Sequence, residues 1–116
     1  MVQAHAKNLS PHDLANTVWS FATSGHASPV LFDAVAEAAI MRTEDFNPQD
    51  IANIVWAFAK AGHAAPVFFD TIATVAKARF RDFDPLELTN TAWAFAASGH
   101  LKFLMAEFEQ TKYGSP

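Results

Sequence analysis

The chain has 116 residues, of which 51% are hydrophobic and 13% aromatic, which is enough apolar material for a packed core and excludes a disordered chain. It has no cysteine, so disulfides and thiolate metal sites are excluded. The formal net charge of −4 is unusual for a protein that holds nucleic acid mainly by neutralising phosphates. Neither a signal-peptide pattern nor a run of about 18 apolar residues occurs, so we expect a soluble protein without membrane partners.

A repeat of 37 residues organises the chain. Its most regular part occurs at 10–26, 47–63 and 84–100, as SPHDLANTVWSFATSGH, NPQDIANIVWAFAKAGH and DPLELTNTAWAFAASGH. Self-similarity at this period is typical of stacked supersecondary units. We therefore divide the chain into 1–8 (the end of a preceding repeat or an N-terminal cap), 9–45 (unit 1), 46–82 (unit 2), 83–110 (a partial unit 3 or C-terminal cap) and 111–116 (a tail).

Each unit begins with a strong signal for the start of a helix. An N-cap residue that accepts a hydrogen bond precedes proline in all three copies, at Ser10, Asn47 and Asp84. An acidic residue at the third helical position can complete a capping box, at Asp13, Asp50 and Glu87. The helix should then run about 14 residues to a glycine that ends it in the left-handed conformation, at Gly25, Gly62 and Gly99.

A second helix follows the Gly-His turn in the first two units. It starts at Pro29 and Pro66, and apolar residues keep helical spacing to about Ile40 and Lys77. Unit 3 lacks this proline, and its second helix is shorter. The sequence predicts an all-α fold, a right-handed α-solenoid of about three stacked helix–turn–helix repeats.

The recurring histidines are the most plausible metal ligands in this sequence, at His26, His63 and His100. Stacked helices lie about 8–10 Å apart, whereas zinc ligands converge within about 2.0–2.3 Å of one ion. We therefore expect no metal site, and expect each imidazole to bond the carbonyls that end the first helix. No nucleophile–base arrangement, phosphate-binding loop or cofactor fingerprint occurs. The sequence predicts a protein that is not an enzyme and holds no cofactor.

A recurring asparagine is the best candidate for a binding residue. It lies two turns into each first helix, at Asn16, Asn53 and Asn90, although asparagine is a mediocre helix former. One interpretation is structural, with the amide bridging to the next hairpin and fixing the register of the repeats. The other is functional: the amides and variable polar residues on the same side bind RNA or a partner, as helical repeats that address bases one at a time do. That predicted site consists of Asn16, Asn53, Asn90, His12, Gln49, Thr23 and Lys60, with Leu86 and Ala97 at the matching places in unit 3.

The tryptophan three residues after each asparagine could stack bases, but its alanine-rich surroundings favour packing in the core or between repeats. It occurs at Trp19, Trp56 and Trp93.

The motif as a whole resembles a known repeat class. An N/S/D-P start, an A/T-N-x-V/A-W-A/S-F-A core and a closing G-H are similar to the heptatricopeptide and octotricopeptide repeats. The resemblance implies an α-solenoid that binds single-stranded RNA, within a larger RNA-metabolism protein of mitochondria or chloroplasts. Two alternatives remain, a protein-interaction scaffold that uses the concave surface and a structural spacer in a longer array. The apolar ends of such a stack also favour self-association.

Overall fold

A computed structural model describes residues 8–26, 28–100 and 105, and within these ranges the chain consists of helices and turns without a strand. The α-helices are α1 (Pro11–Ser24), α2 (Pro29–Ile40), α3 (Pro48–Ala61), α4 (Pro66–Arg79) and α5 (Pro85–Ala97). Short 3-10 turns at Thr43–Asp45 and Phe80–Asp82 join one hairpin to the next. The all-α prediction is confirmed for this part of the chain. Most of the predicted N-terminal segment, the second helix of unit 3 apart from Met105, and the tail lie outside the described residues.

The first helices begin where the N-cap pattern predicts. The side chains of Ser10, Asn47 and Asp84 each accept a hydrogen bond from the backbone N–H three residues later, over 2.7–3.1 Å. Among the five described α-helices, a complete capping box forms only in α5, where the Glu87 carboxylate also accepts from the Asp84 N–H at 2.9 Å. The equivalent carboxylate of Asp50 contacts the preceding unit instead. The same sequence position therefore serves two different purposes in two units.

Glycine ends α1 and α3 in the left-handed conformation, with φ of 76° at Gly25 and 68° at Gly62. In the second of these turns the His63 backbone N–H donates to the Phe58 carbonyl at 3.1 Å, which satisfies one of the free carbonyls at the helix end. Helix α5 ends one residue earlier, with Ser98 as its right-handed C-cap.

Side-by-side packing of the first helices forms the centre of the fold. Helix α1 lies against α3 and α3 against α5, and these contacts are more extensive than those between the two helices of one hairpin. Buried alanines, among them Ala15, Ala52 and Ala57, allow this close approach. Helices α2 and α4 contact each other beside this layer. The stack of hairpins agrees with the predicted repeat architecture, whereas the right-handed superhelix and the unit boundaries stay predictions.

An arginine at the end of the second helix closes the hairpin in units 1 and 2. The Arg42 guanidinium donates to the Leu9 carbonyl, and Arg79, which is 37 residues later, donates to the Phe46 carbonyl at 2.5 Å. The Arg79 Nε also lies 3.8 Å from the Asp82 carboxylate. Each guanidinium therefore ties the end of the second helix to the residue just before the first one.

Candidate functional site

The predicted binding residues lie on one face of the first helices. Positions spaced by four, three and four residues point in the same direction from an α-helix. Because α1, α3 and α5 pack side by side, these positions form four rows with one residue from each unit. We call this surface the Asn–Trp face; its rows are His12, Gln49 and Leu86; Asn16, Asn53 and Asn90; Trp19, Trp56 and Trp93; and Thr23, Lys60 and Ala97. All twelve residues are exposed or half-buried, so the structure brings all seven predicted site residues to one accessible surface.

The tryptophan row is a continuous ladder of rings. The ring centroids of Trp19 and Trp56 are 6.3 Å apart with a tilt of 33°, and those of Trp56 and Trp93 are 6.3 Å apart with a tilt of 32°. Trp56 has a ring on both sides and is half-buried, whereas Trp19 and Trp93 are 44% and 46% exposed. The prediction of packing between repeats is confirmed. Since neighbouring rings already contact each other, a ligand would meet their edges rather than enter between them.

The asparagine row carries amides that the protein leaves open. Within the described part of the chain, the side chains of Asn53 and Asn90 make no hydrogen bond, and both are half-buried. Neither amide bridges to a neighbouring hairpin there, so the purely structural interpretation of this row is wrong for these two residues. Asn16 differs, because its Nδ2 lies 3.0 Å from His12 Nε2. Half-buried amides with unused donors and acceptors are suited to a ligand, since leaving them unpaired is costly.

His12 also connects unit 1 to unit 2. Its Nδ1 lies 3.1 Å from Oδ1 of Asp50, whose side chain is 4% exposed while that of His12 is 63% exposed. The local sequence pattern assigns Asp50 only to the helix cap and does not predict this contact. The repeat gives no signal for it, because the two residues are 38 positions apart rather than 37.

His63, the histidine of the second Gly-His turn, has a role different from the predicted one. The imidazole of His63 does not bond the end of α3 but contacts the Asp33 carboxylate of α2, with Nε2 and Oδ1 2.7 Å apart. Its ring also packs between Phe32 and Phe58, at centroid distances of 5.5 and 5.9 Å. This histidine therefore links successive hairpins. Within 8–26, 28–100 and 105, no three histidine or acidic side chains lie close enough together to hold a metal ion.

Charge is distributed unevenly around the stack. None of the twelve residues on the Asn–Trp face is acidic, and Lys60 is its one permanent cation. The described carboxylates lie in the first turns of the first helices, on the second helices or in the connecting turns. The twelve side chains that define this face therefore contribute none of the described negative charges.

A groove lies between α2 and α4. Its volume is about 420 Å³, and it is lined by Asp33, Glu37 and Ile40 of α2 and by Val67 and Phe68 of α4. It is an open groove and holds no arrangement of catalytic groups.

The stacked hairpins and their polar, aromatic face define a helical-repeat protein, a class whose successive units build one extended surface. No helix within the described ranges is long and apolar enough to cross a membrane. The model of the family described as RESC6, RNA-editing substrate-binding complex 6 protein, matches residues 5–113. The chain belongs to this family. No curated protein and no solved structure matches it.

Proposed function

We propose that this chain is a non-catalytic module that binds single-stranded RNA on its Asn–Trp face, as part of an RNA-editing substrate-binding complex. The family description supports an association with RNA and with such a complex. The observation that carries the proposal is the amide row, in which Asn53 and Asn90 have open donors and acceptors on a face without carboxylates. The resemblance to heptatricopeptide and octotricopeptide repeats supports the same function and an organellar location.

The chemistry of this face favours bases over phosphates. An amide offers both a donor and an acceptor, which match the edges of unpaired bases, and the tryptophan edges offer apolar contact. Only Lys60 provides a permanent positive charge for a phosphate. In a duplex the Watson–Crick edges are already paired, so the ligand is single-stranded. Recognition through bases is compatible with the net charge of −4. Binding through phosphates alone is not, because it requires a basic surface.

The remaining predicted residues have supporting roles in this proposal. His12 and Gln49 lie one helical turn before the asparagines, and Thr23 and Lys60 lie one turn after the tryptophans. These rows vary between units, so they give each unit a different polar environment around a similar amide. The proposed strand of RNA lies across the three first helices, with the amide row along its length.

A titration of labelled, mixed-sequence single-stranded RNA, followed by fluorescence anisotropy, tests this function. We expect binding that weakens only slightly between about 50 and 200 mM salt, because about one phosphate is neutralised. Asn53→Ala and Lys60→Ala should each weaken binding by about threefold to tenfold, which corresponds to one lost hydrogen bond or ion contact. Arg81→Ala is the matched control, since Arg81 is an exposed cation away from this face. Absence of binding at about 100 µM RNA in low salt would contradict the proposal.

A second candidate function is a scaffold for a protein partner, and unit 3 favours it. There the Asn–Trp face carries Leu86 and Trp93, which are 67% and 46% exposed, and Ala97. An exposed apolar patch of this kind marks protein contacts. Leu86→Gln, which adds no charge, should weaken such a contact, including self-association measured by sedimentation, while the amides of units 1 and 2 stay unchanged. If RNA binding fails while sedimentation changes, the scaffold is the function of this face.

A further inference from the structure

Three side chains form a continuous hydrogen-bonded series from the interior of the stack to its surface. Asp50, at the start of α3, contacts His12 of α1 at 3.1 Å, and the other ring nitrogen of His12 contacts the Asn16 amide nitrogen at 3.0 Å. The series begins at a carboxylate that is 4% exposed and ends at an exposed amide on the Asn–Trp face. It connects two units and has no counterpart at Asn53 or Asn90 within the described residues.

The chemistry of the series determines which way the amide points. An ionised carboxylate has acceptors only, so the proton of the first contact belongs to His12 Nδ1, which donates to Asp50. Neutral imidazole carries one proton, so its Nε2 is then an acceptor. The group that donates to Nε2 is the Asn16 Nδ2, which agrees with the observed placement of that atom. The Asn16 carbonyl oxygen is therefore left to face the ligand.

We propose that Asp50 and His12 are positioning residues that hold Asn16 with its Oδ1 presented on the Asn–Trp face, so that unit 1 selects a base with an exocyclic amino group. Adenine and cytosine carry such an amino group where uracil carries a carbonyl oxygen, and guanine carries one at a different ring position. On this edge uracil offers only its ring N3–H as a donor. A fixed acceptor thus favours adenine or cytosine over uracil. The amides of Asn53 and Asn90 have no comparable hydrogen-bond partner to fix their orientation. They can therefore present either the oxygen or the NH₂ group to a base. This inference rests on the proposed function and concerns the same face.

Asp50 offers a clean way to test this arrangement, because its buried carboxylate acts on the ligand only through His12. Asp50→Ala removes the acceptor, while Asp50→Asn keeps a side-chain oxygen that accepts from Nδ1–H. Asp13 is the matched control, since it occupies the same third position of α1 but is exposed and lies outside this series. His12→Ala is a second test that does not depend on the stability of a variant at a buried site, because His12 is 63% exposed.

The binding experiment compares oligoadenylate with oligouridylate for each variant, at a pH where free imidazole is neutral. We expect the original chain to prefer oligoadenylate. The dissociation constant for oligouridylate divided by that for oligoadenylate should fall about fivefold in Asp50→Ala and His12→Ala, which corresponds to the loss of one hydrogen bond. Asp50→Asn and Asp13→Ala should keep the original ratio. In parallel, ¹H–¹⁵N spectra of the imidazoles should show the Nδ1–H form for His12, and Asp50→Ala should lose it.

The outcomes separate this inference from the function on which it rests. If the original chain binds neither RNA, the proposed function fails and the selectivity fails with it. If RNA binds but Asp50→Ala and His12→Ala keep the original ratio, or if His12 carries its proton on Nε2, only the positioning role is overturned. An equal loss of affinity for both RNAs in these variants would also overturn it, since that is the result of a merely structural contact.

Discussion

Replacement of Trp56 by alanine tests whether the tryptophan ladder holds the repeats together. Trp56 is the central ring, with Trp19 and Trp93 each 6.3 Å away, so its removal breaks both ring contacts. Removal of Trp19 breaks one contact only, and 44% of that side chain is already exposed. The two substitutions are chemically identical, so the difference between their effects on the free energy of unfolding reports the position of the ring in the ladder.

The expected loss in the free energy of unfolding follows from the burial of each tryptophan and from its number of ring partners. An aromatic pair contributes about 0.5–1.5 kcal/mol beyond the area it buries, and a fully buried tryptophan replaced by alanine costs about 3–5 kcal/mol. Since Trp56 is half-buried but has two partners, we expect Trp56→Ala to lower the free energy of unfolding by about 3 kcal/mol. Trp19→Ala should cost about 1.5 kcal/mol, because it has one partner and less buried area.

Urea denaturation followed by circular dichroism at 222 nm measures both variants without relying on tryptophan fluorescence. Equal m-values would show that the free energies can be compared, which matters for a repeat protein whose units can unfold separately. Costs for the two variants that agree within about 0.5 kcal/mol would refute the reasoning, since that is the scale of ordinary surface substitutions. The position of a tryptophan in the ladder would then have no effect on the free energy of unfolding.

Two further predictions concern the closure of the hairpins. Arg79→Ala should lower the free energy of unfolding by about 1–2 kcal/mol, because it removes the guanidinium that bonds the Phe46 carbonyl, whereas Arg81→Ala should cost less than about 0.5 kcal/mol. Urea denaturation checks both, and equal costs would contradict a specific role for Arg79. Gly62→Ala should cost about 1 kcal/mol, because φ is +68° there while a Cβ would meet nothing within 4 Å. Gly62→Asn should lower the free energy of unfolding by less, since asparagine tolerates this conformation. If Gly62→Ala left the free energy of unfolding unchanged, the turn would be able to adopt another backbone conformation.

The helix boundaries were predictable because their signals are local. An N-cap residue, a following proline and a terminal glycine act over three or four positions, and α1 and α3 begin and end where these residues predict. The candidate site was predictable to the same extent, since positions on one helix face follow from the helical period alone. The 37-residue repeat then indicated that Asn16, Asn53 and Asn90 occupy equivalent places in stacked units.

The contacts between units were not predictable from the same signals. Asp50 looked like a cap residue, and the turn histidines looked like helix-end donors, because each local pattern was sufficient to explain its residue. In the folded chain Asp50 bonds His12, and His63 bonds Asp33 of the preceding hairpin, at separations of 38 and 30 residues. Neither separation equals the repeat, so the period does not reveal either partner.

By itself, the sequence determined the secondary structure, the repeat and the set of residues on the first-helix face, because helix caps and helical periodicity are short-range properties of the chain. Tertiary structure alone decided that Trp19, Trp56 and Trp93 form a ladder, and that Asn53 and Asn90 stay open while Asn16 is held by His12. Those outcomes depend on how closely α1, α3 and α5 approach and how they are rotated against each other. Packing of the whole stack sets these two quantities, and no local segment of the chain encodes them.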